Sequence, residues 1–367
     1  MSIVVMGVGF CGAFPTSSGW SYREMIKRAA TMAYQDAGIT PEEVDGAVSV
    51  EEDLISGYSI SDEYVPDQLG MVRKPVYTIP GDFLHGIASP ALQLKTGRFK
   101  TVLVQSYSKA SNILTKEEIL NFAYHPVYNR FGVTPHFLAA LEMQNFLTES
   151  EYEEFDIAEV AARNRRTALT NPLAPYGANI NSEDILNARP VSTPLTEEMI
   201  AKPADAAVVV ILGIGPEAEE RVAKPVYLTG TGWGSGTSLL ERRDLINSIG
   251  TEVAAKLAFE EAGIENPAED IDLFYISDLY PHRQLIHMEA IGLNMNYLPR
   301  INPDGGTQGG GELFEATGGA RFFDAVRMLR GEAGAHQRDD VERILVHGWR
   351  GLPTDSCAVA ILEAESF

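Results

Sequence analysis

Two cysteines, Cys11 and Cys357, are all that the 367 residues hold. They stand far apart, each inside an apolar segment, so neither a disulfide framework nor a cysteine metal site is indicated, and both read as packing residues. Metal spacing among other residue types is lacking too: His287 and Glu289, two apart on one predicted helix, do not face a common point. Long hydrophobic runs are also missing. No stretch reaches the roughly 18 apolar residues that cross a bilayer, and MSIVVMGVGF reads as a buried first strand without the basic flank of a signal peptide. The expectation is a soluble, cytoplasmic protein with no membrane contact. Positive charge is scarce, with 29 Lys and Arg against 51 Asp and Glu and a formal charge of −22. That balance argues against nucleic acid as a partner. A phosphate-bearing ligand would need a local basic patch or a second subunit.

What is present is ordinary globular material, 45% hydrophobic, with length enough for about two to three domains. Val4 to Phe10 is a near-continuous apolar run, as in a strand buried on both faces. Ser21 to Ala37 has helical periodicity and a stop at Gly38. Val44 to Val50, Val76 to Ile79 and Thr101 to Gln105 read as further strands, with a helix ending near Gly97. Strands alternating with helices indicate a parallel α/β sheet. From Tyr107 to Lys202 the pattern changes to aromatic, proline-rich loops such as HPVYNRFGVTPHF and two helical segments, near Phe137 to Phe146 and Ile157 to Leu169. Ala206 to Leu212 returns as a buried strand.

The second half then repeats the first. AATMAYQDAGI at Ala29 aligns without a gap with AAKLAFEEAGI at Ala254. VDGAVSV at Val44 corresponds to IDLFYIS at Ile271, and TVLVQSY at Thr101 to RILVHGW at Arg343. Three matches in one order define a duplication with a period far longer than that of a solenoid repeat. Late in the second copy lies NPDGGTQGGGELFEATG, Asn302 to Gly318, which runs into the apolar-periodic segment Ala320 to Leu329. A glycine-rich loop entering a helix brings backbone N–H groups close to an anion or a developing oxyanion; a mobile surface loop is the alternative.

Taken together, AYQDAGITPEEVDG, AFEEAGIENPAEDID, TALTNPLAPYGANINSEDILNARPVSTPLT, HMEAIGL and ATGGARFFDAVRMLRGEAGAHQ resemble the thiolase superfamily over essentially the whole chain, and within it the sterol-carrier-protein type. The resemblance implies an α/β thiolase fold: duplicated βαβαβαββ halves in a layered αβαβα arrangement, with a large loop domain inserted in the first half. The implied division is residues 1–106 and 203–222 for the N-terminal half, 107–202 for the loop domain and 223–367 for the C-terminal half. It also implies a homodimer, a small OB-fold and zinc-ribbon partner subunit, and no tightly bound cofactor, coenzyme A arriving as part of the substrate.

The family's catalytic positions are mostly altered. The nucleophilic cysteine belongs at a strand-to-helix turn, here TIPGDFLHGIASPALQLKTG, where alignment on Gly86 gives Phe83 and alignment on Gly97 gives Pro80. The histidine of the Gly-His-Pro loop is replaced by Glu312. The His-Asp-x-Phe motif reads Ser277-Asp278-Leu279-Tyr280, and the last loop, His347-Gly348-Trp349-Arg350-Gly351, keeps its histidine.

A thiolase fold without its cysteine can still hold a thioester and stabilise an enolate, so the resemblance implies retro-aldol cleavage of a β-hydroxyacyl-CoA, as in the cysteine-free steroid side-chain-cleaving aldolases. An acyltransferase or thiolytic enzyme and a catalytically silent subunit are the alternatives. Glu312 is the candidate acid–base residue, against a solvated loop carboxylate. His347 follows a strand at the end where parallel α/β sheets place their sites, against a role in packing or capping. Tyr280 could exchange a proton with substrate or simply pack. Asp82 and His85 occupy the nucleophile turn, as substitutes for it or as helix caps. Gly310, Gly311, Gly348 and Asp278 are the expected substrate-binding positions.

Overall fold

The computed structural model of the chain describes residues 2–52, 60–113, 120 and 124–364. Its first half runs through β1 (Ile3–Phe14), α1 (Tyr22–Ala37), β2 (Gly46–Val50), β3 (Val76–Ile79), α2 (Phe83–Lys95) and β4 (Thr101–Lys109). The chain then leaves the sheet for α3 (Pro135–Glu149), α4 (Glu154–Thr167) and a small hairpin of β5 (Pro190–Ser192) and β6 (Leu195–Thr196), and returns as β7 (Asp205–Ile214). The second half runs through β8 (Tyr227–Ser235), α5 (Ile249–Ala262), β9 (Leu273–Tyr275), α6 (Pro281–Ile291), α7 (Gly306–Gly310), α8 (Thr317–Arg330), β10 (Arg343–Trp349) and β11 (Ser356–Glu363).

The two halves repeat one topology. The first has the order β3-β2-β4-β7-β1 and the second β9-β10-β11-β8, joined edge to edge where Ile3 and Val4 of β1 meet Leu228 and Tyr227 of β8. The second half departs from the expected βαβαβαββ pattern at one point. Its third strand is reduced to a single bridge of Ile301 with Phe274, because the chain there turns at once into the Asn302 loop. Helices α2 and α8 touch strands of both halves, whereas α1 lies on the first half's strands and α5 on the second's. This gives the layered helix–sheet–helix–sheet–helix arrangement, with α2 and α8 side by side in the middle, Phe83 and Phe322 at 6.5 Å between ring centroids.

Glycine determines how closely each outer helix seats. A Cβ at Gly9 of β1 would lie 2.0 Å from the Ala29 carbonyl oxygen of α1, and one at Gly232 of β8 would lie 2.1 Å from that of Ala254 of α5. The alanines that betray the duplication are thus the helix side of a contact whose strand side is glycine. Both helices also end alike, on left-handed Gly38 (φ 61°) and Gly263 (φ 68°). Ser21 and Glu24 close a capping box at the start of α1. Among the described residues no helix is long and apolar enough to cross a membrane.

Replacing Gly232 by Val forces α5 off its strand, and a loss of about 1–3 kcal/mol in denaturant unfolding is expected. An unchanged midpoint would show that the helix is not seated on this glycine.

Candidate active site

The two central helices begin at the same place, and a carboxylate lies between them. Asp82 is the N-cap of α2: its Oδ1 accepts from Leu84 N at 3.0 Å, and its Oδ2 accepts from Gly318 N, in the first turn of α8, at 2.9 Å. Two helix N-termini therefore converge on one anion. Glycine is required around it, since a Cβ at Gly318 or Gly348 would fall 2.1 or 1.9 Å from Oδ1. Burial pushes the Asp82 carboxyl up to about 6, although the Arg321 guanidinium and the two backbone N–H groups pull the other way.

Asp82 also forms part of the wall of a cavity of about 800 Å³, which Glu312, Tyr280, His136, Trp349 and Arg350 line as well. Glu312 reaches it from the glycine loop. Asp278 holds that loop by accepting from Thr307 N (2.6 Å) and Gln308 N (3.1 Å) at the start of α7, and from Asn164 Nδ2 of α4 (2.8 Å). Left-handed Gly305 (φ 97°) and Gly306 (φ 59°) turn the chain into α7. The peptide of Glu312 is then pinned on the exit of the loop domain: its N–H donates to Lys202 O at 2.8 Å and its carbonyl accepts from Ala204 N at 2.9 Å.

The four expected substrate-binding residues do not line this cavity. Asp278 is fully buried, its oxygens taken up by α7, Asn164 and Arg321. Gly310 and Gly311 border a separate space of about 40 Å³ behind the loop. Gly348 packs on the Asp82 carboxylate. Asp278 and Gly348 instead brace residues that do line it, Thr307 and Asp82.

His347 and His85 are also set behind the wall. His85 lies with Nδ1 3.1 Å from Asp82 O and Nε2 3.1 Å from Ser356 Oγ, and burial pushes it down to about 4. His347 is fully buried; burial, together with Arg321, Arg283 and His85, holds it well below the usual imidazole range. Its Nδ1 accepts from Ser277 N at 3.3 Å, so the proton sits on Nε2, 3.1 Å from Thr251 Oγ1.

Folding brings together a cluster that spacing alone did not reveal. His287, His347 and Cys357, from α6, β10 and β11, place donor atoms within 4.8 Å of one another. Thr251 Oγ1 lies among them, 2.8 Å from His287 Nδ1 and 3.3 Å from Cys357 Sγ. The donor set does not fit a metal ion: with Nδ1 occupied by the Ser277 N–H, the His347 Nε2 carries hydrogen and has no lone pair to offer. Cys357 is pushed up to about 12 by burial and Asp355, which leaves it a thiol.

The loop domain contributes side chains that the sequence reading missed. His136, in the first turn of α3, has Nδ1 3.1 Å from Tyr280 Oη. Tyr280 is held between His282, at 5.8 Å in a stacked arrangement, and Trp349, at 6.5 Å. Behind them, Glu142 of α3 accepts from Arg283 Nε (3.0 Å) and Nη2 (2.8 Å) and pairs with Arg243 at 2.9 Å. Burial would raise the Glu142 carboxyl, but Arg283, His282 and Arg243 hold it down to about 2. Histidines and aromatics crowd HPVYNRFGVTPHF, the one signal that pointed here.

Two α/β halves with converging central helices beside a cavity make up a thiolase-type fold. Residues 234–364 match the family described as Thiolase C-terminal domain-like. Over 355 residues the chain is 26% identical to an acetyl-CoA acetyltransferase of Methanothermobacter thermautotrophicus, with 90% of this chain and 92% of that one covered. It is 24% identical over 386 residues to sterol carrier protein 2 of Bos taurus, covering 94% of this chain and 69% of that protein. Among solved structures, the Ltp2-ChsH2(DUF35) aldolase superposes with a TM-score of 0.85 at 22% identity, covering 99% of this chain and 98% of that one. Residues 234–364 thus match a thiolase family, and over most of its length the chain is similar to thiolase-superfamily proteins, those of the sterol-carrier-protein type among them.

Because Asp82 keeps its proton to higher pH folded than unfolded (about 6 against 3.8), its contribution to stability is present below the unfolded value and is lost as pH rises through the folded one. The stability of the wild type relative to Asp82→Asn should fall by up to about 3 kcal/mol between about pH 4 and pH 6. A flat difference across that window would contradict the burial of a titrating carboxyl there.

Proposed function

We propose that this protein is a carbon–carbon lyase that cleaves a β-hydroxyacyl-CoA by a retro-aldol reaction. One observation carries the reading. The turn that would bear a nucleophile is Pro80-Gly81-Asp82-Phe83, no cysteine is among the described residues lining the cavity, and Cys357 is buried as a neutral thiol. Acyl transfer through an enzyme thioester needs a thiolate; aldol cleavage needs proton transfer and a place for an enolate.

In the proposed reaction the Glu312 carboxylate takes the β-hydroxyl proton, the C–O bond becomes a carbonyl, and the Cα–Cβ bond breaks with its electron pair passing to the thioester enolate. Tyr280 returns a proton to Cα. The products are a carbonyl compound and a shorter acyl-CoA, with no redox change and no tightly bound cofactor. Asp82, His85 and His347 shape the wall, and Asp82 fixes the negative charge where the helices meet. The fold shared with an aldolase structure supports this reading.

Of the described residues lining the cavity, Arg350 is the one Lys or Arg, and it is paired with Glu52. Three further carboxylates, Asp82, Glu312 and Glu315, share that lining. The coenzyme A phosphates therefore find their cations on a small OB-fold and zinc-ribbon subunit, and the chain works as a cytoplasmic hetero-oligomer around a homodimer. The edge strand β3, paired to β2 alone in the sheet order, supplies the dimer contact.

The purified protein, alone and with the product of its neighbouring gene, is tested against β-hydroxyacyl-CoA and against β-ketoacyl-CoA with free coenzyme A. Release of a carbonyl compound from the hydroxy series is expected, with Glu312→Gln lowering turnover by about 10²–10⁴-fold. Cleavage of the keto series alone would overturn the lyase reading, and an unchanged rate in Glu312→Gln would remove Glu312 from the chemistry.

A further inference from the structure

Among the described residues, five that are not glycine hold a left-handed φ, and Phe314, at 49°, is the one of them that borders the cavity of about 800 Å³. A bulky L residue adopts that conformation only where its surroundings impose it. Here the groups that impose it are visible. Leu313 before it and Ala316 two residues after it are buried in the core, 2% and 0% exposed. The Thr317 hydroxyl accepts from Leu313 N at 3.0 Å and donates to Phe314 O at 2.7 Å, while Ala316 N donates to Leu313 O at 2.9 Å. One residue further on, Gly318 N is fixed on the Asp82 carboxylate. Phe314 therefore stands half-buried in the cavity wall, on a turn closed at both ends.

The place of Phe314 relative to Glu312 gives this strain a use. Two residues along the chain, their Cα atoms lie within about 7 Å of each other. Pro203 bridges to the backbone of Glu312, and Ala201 N donates to Leu279 O at 3.1 Å, so the segment from Ile200 to Pro203 runs between Leu279 and Glu312. Ile200, Ala201, Pro203 and Leu279 all border the cavity and carry no polar side-chain atom. We propose that Phe314 is a specificity-determining residue: together with this apolar strip it receives the group carried on the β-carbon of the substrate, and it sets the largest group that fits. The proposal rests on the lyase reading above, in which Glu312 takes the β-hydroxyl proton. The substrate class is then a β-hydroxyacyl-CoA with a hydrocarbon substituent on that carbon, because a polar one would give up its water beside the strip without gaining a partner. The compound released is an apolar aldehyde or ketone. A ring carried on a locked turn makes a firm limit, where one on a loose loop would yield.

Three measurements decide it. Binding of methyl ketones carrying isopropyl, cyclohexyl or 2-naphthyl groups is followed by calorimetry on the purified protein, and the ratio of naphthyl to isopropyl affinity is expected to rise about tenfold in Phe314→Ala. An unchanged ratio overturns the size limit whatever the reaction is, and no binding of any ketone overturns the hydrocarbon class. If Phe314→Ala does not fold, Phe314→Leu makes the same comparison. In denaturant, Phe314→Gly is expected to unfold at a higher concentration than Phe314→Ala, because glycine takes a positive φ without a steric penalty; the reverse order overturns the strained turn. In turnover of β-hydroxyacyl-CoA thioesters with the same three groups on the β-carbon, the kcat/KM ratio is expected to move toward naphthyl by about 10–200-fold in Phe314→Ala and toward isopropyl in Phe314→Trp. Ratios equal to wild type in both variants overturn the proposal. A wild type that turns over none of these thioesters overturns the lyase reading, and the ketone series then decides the size limit by itself.

Discussion

Two helices pointing their N-termini at one spot create a positive potential that the rest of the molecule must answer. The duplication makes this unavoidable, because α2 and α8 are equivalent elements of the two halves and lie together in the middle layer. In this chain the answer is built in. Asp82 accepts a hydrogen bond from each helix, and Gly318 and Gly348 leave it the room. The consequence reaches the chemistry: the place where a fold of this kind can stabilise a negative charge at a nucleophile turn already holds one.

Behind that carboxylate, burial favours the neutral form of His347 and His287. Burial and the guanidinium groups of Arg321 and Arg283 hold His347 and His287 well below the ordinary imidazole range, and hydrogen bonds through Thr251 tie them to Cys357. Those surroundings favour the neutral form of each. In the proposed reaction proton traffic falls to groups on the cavity side, Glu312 from the glycine loop and Tyr280 from the start of α6. The loop domain fastens both. Lys202 and Ala204 hold the peptide of Glu312, while α3 faces Tyr280 with His136 and locks α6 through Glu142. On the proposed reading, the −22 formal charge and the acidic cavity lining leave the coenzyme A phosphates to find their cations on another chain.

Much of this was legible in the residues. The repeat AATMAYQDAGI and AAKLAFEEAGI marked equivalent helices, and the glycine that ends each one adopts the left-handed conformation that stop requires. The absence of cysteine from TIPGDFLHGIASPALQLKTG pointed away from acyl-enzyme chemistry before any geometry was known. What stayed hidden depends on contacts between distant segments. Asp278 sits in a motif beside Tyr280, yet its side chain turns inward to cap α7, since neighbouring residues on an irregular stretch need not face the same way. His136 lies 144 positions from Tyr280, and no periodicity links them. The His287, His347 and Cys357 cluster assembles from three elements and has no local spacing at all. The reduction of the second half's third strand to Ile301 was likewise invisible, because the glycine-rich loop after it reads the same whether a strand precedes it or not.

The central claim is that carbon–carbon cleavage proceeds here without a covalent enzyme intermediate. Intact-protein mass spectrometry on samples quenched in acid during steady turnover of a β-hydroxyacyl-CoA tests it most directly. The account predicts an unmodified chain at every time point while carbonyl product accumulates. An acyl group found on Cys11, Cys357 or any other side chain, forming and decaying at the rate of turnover, would contradict it.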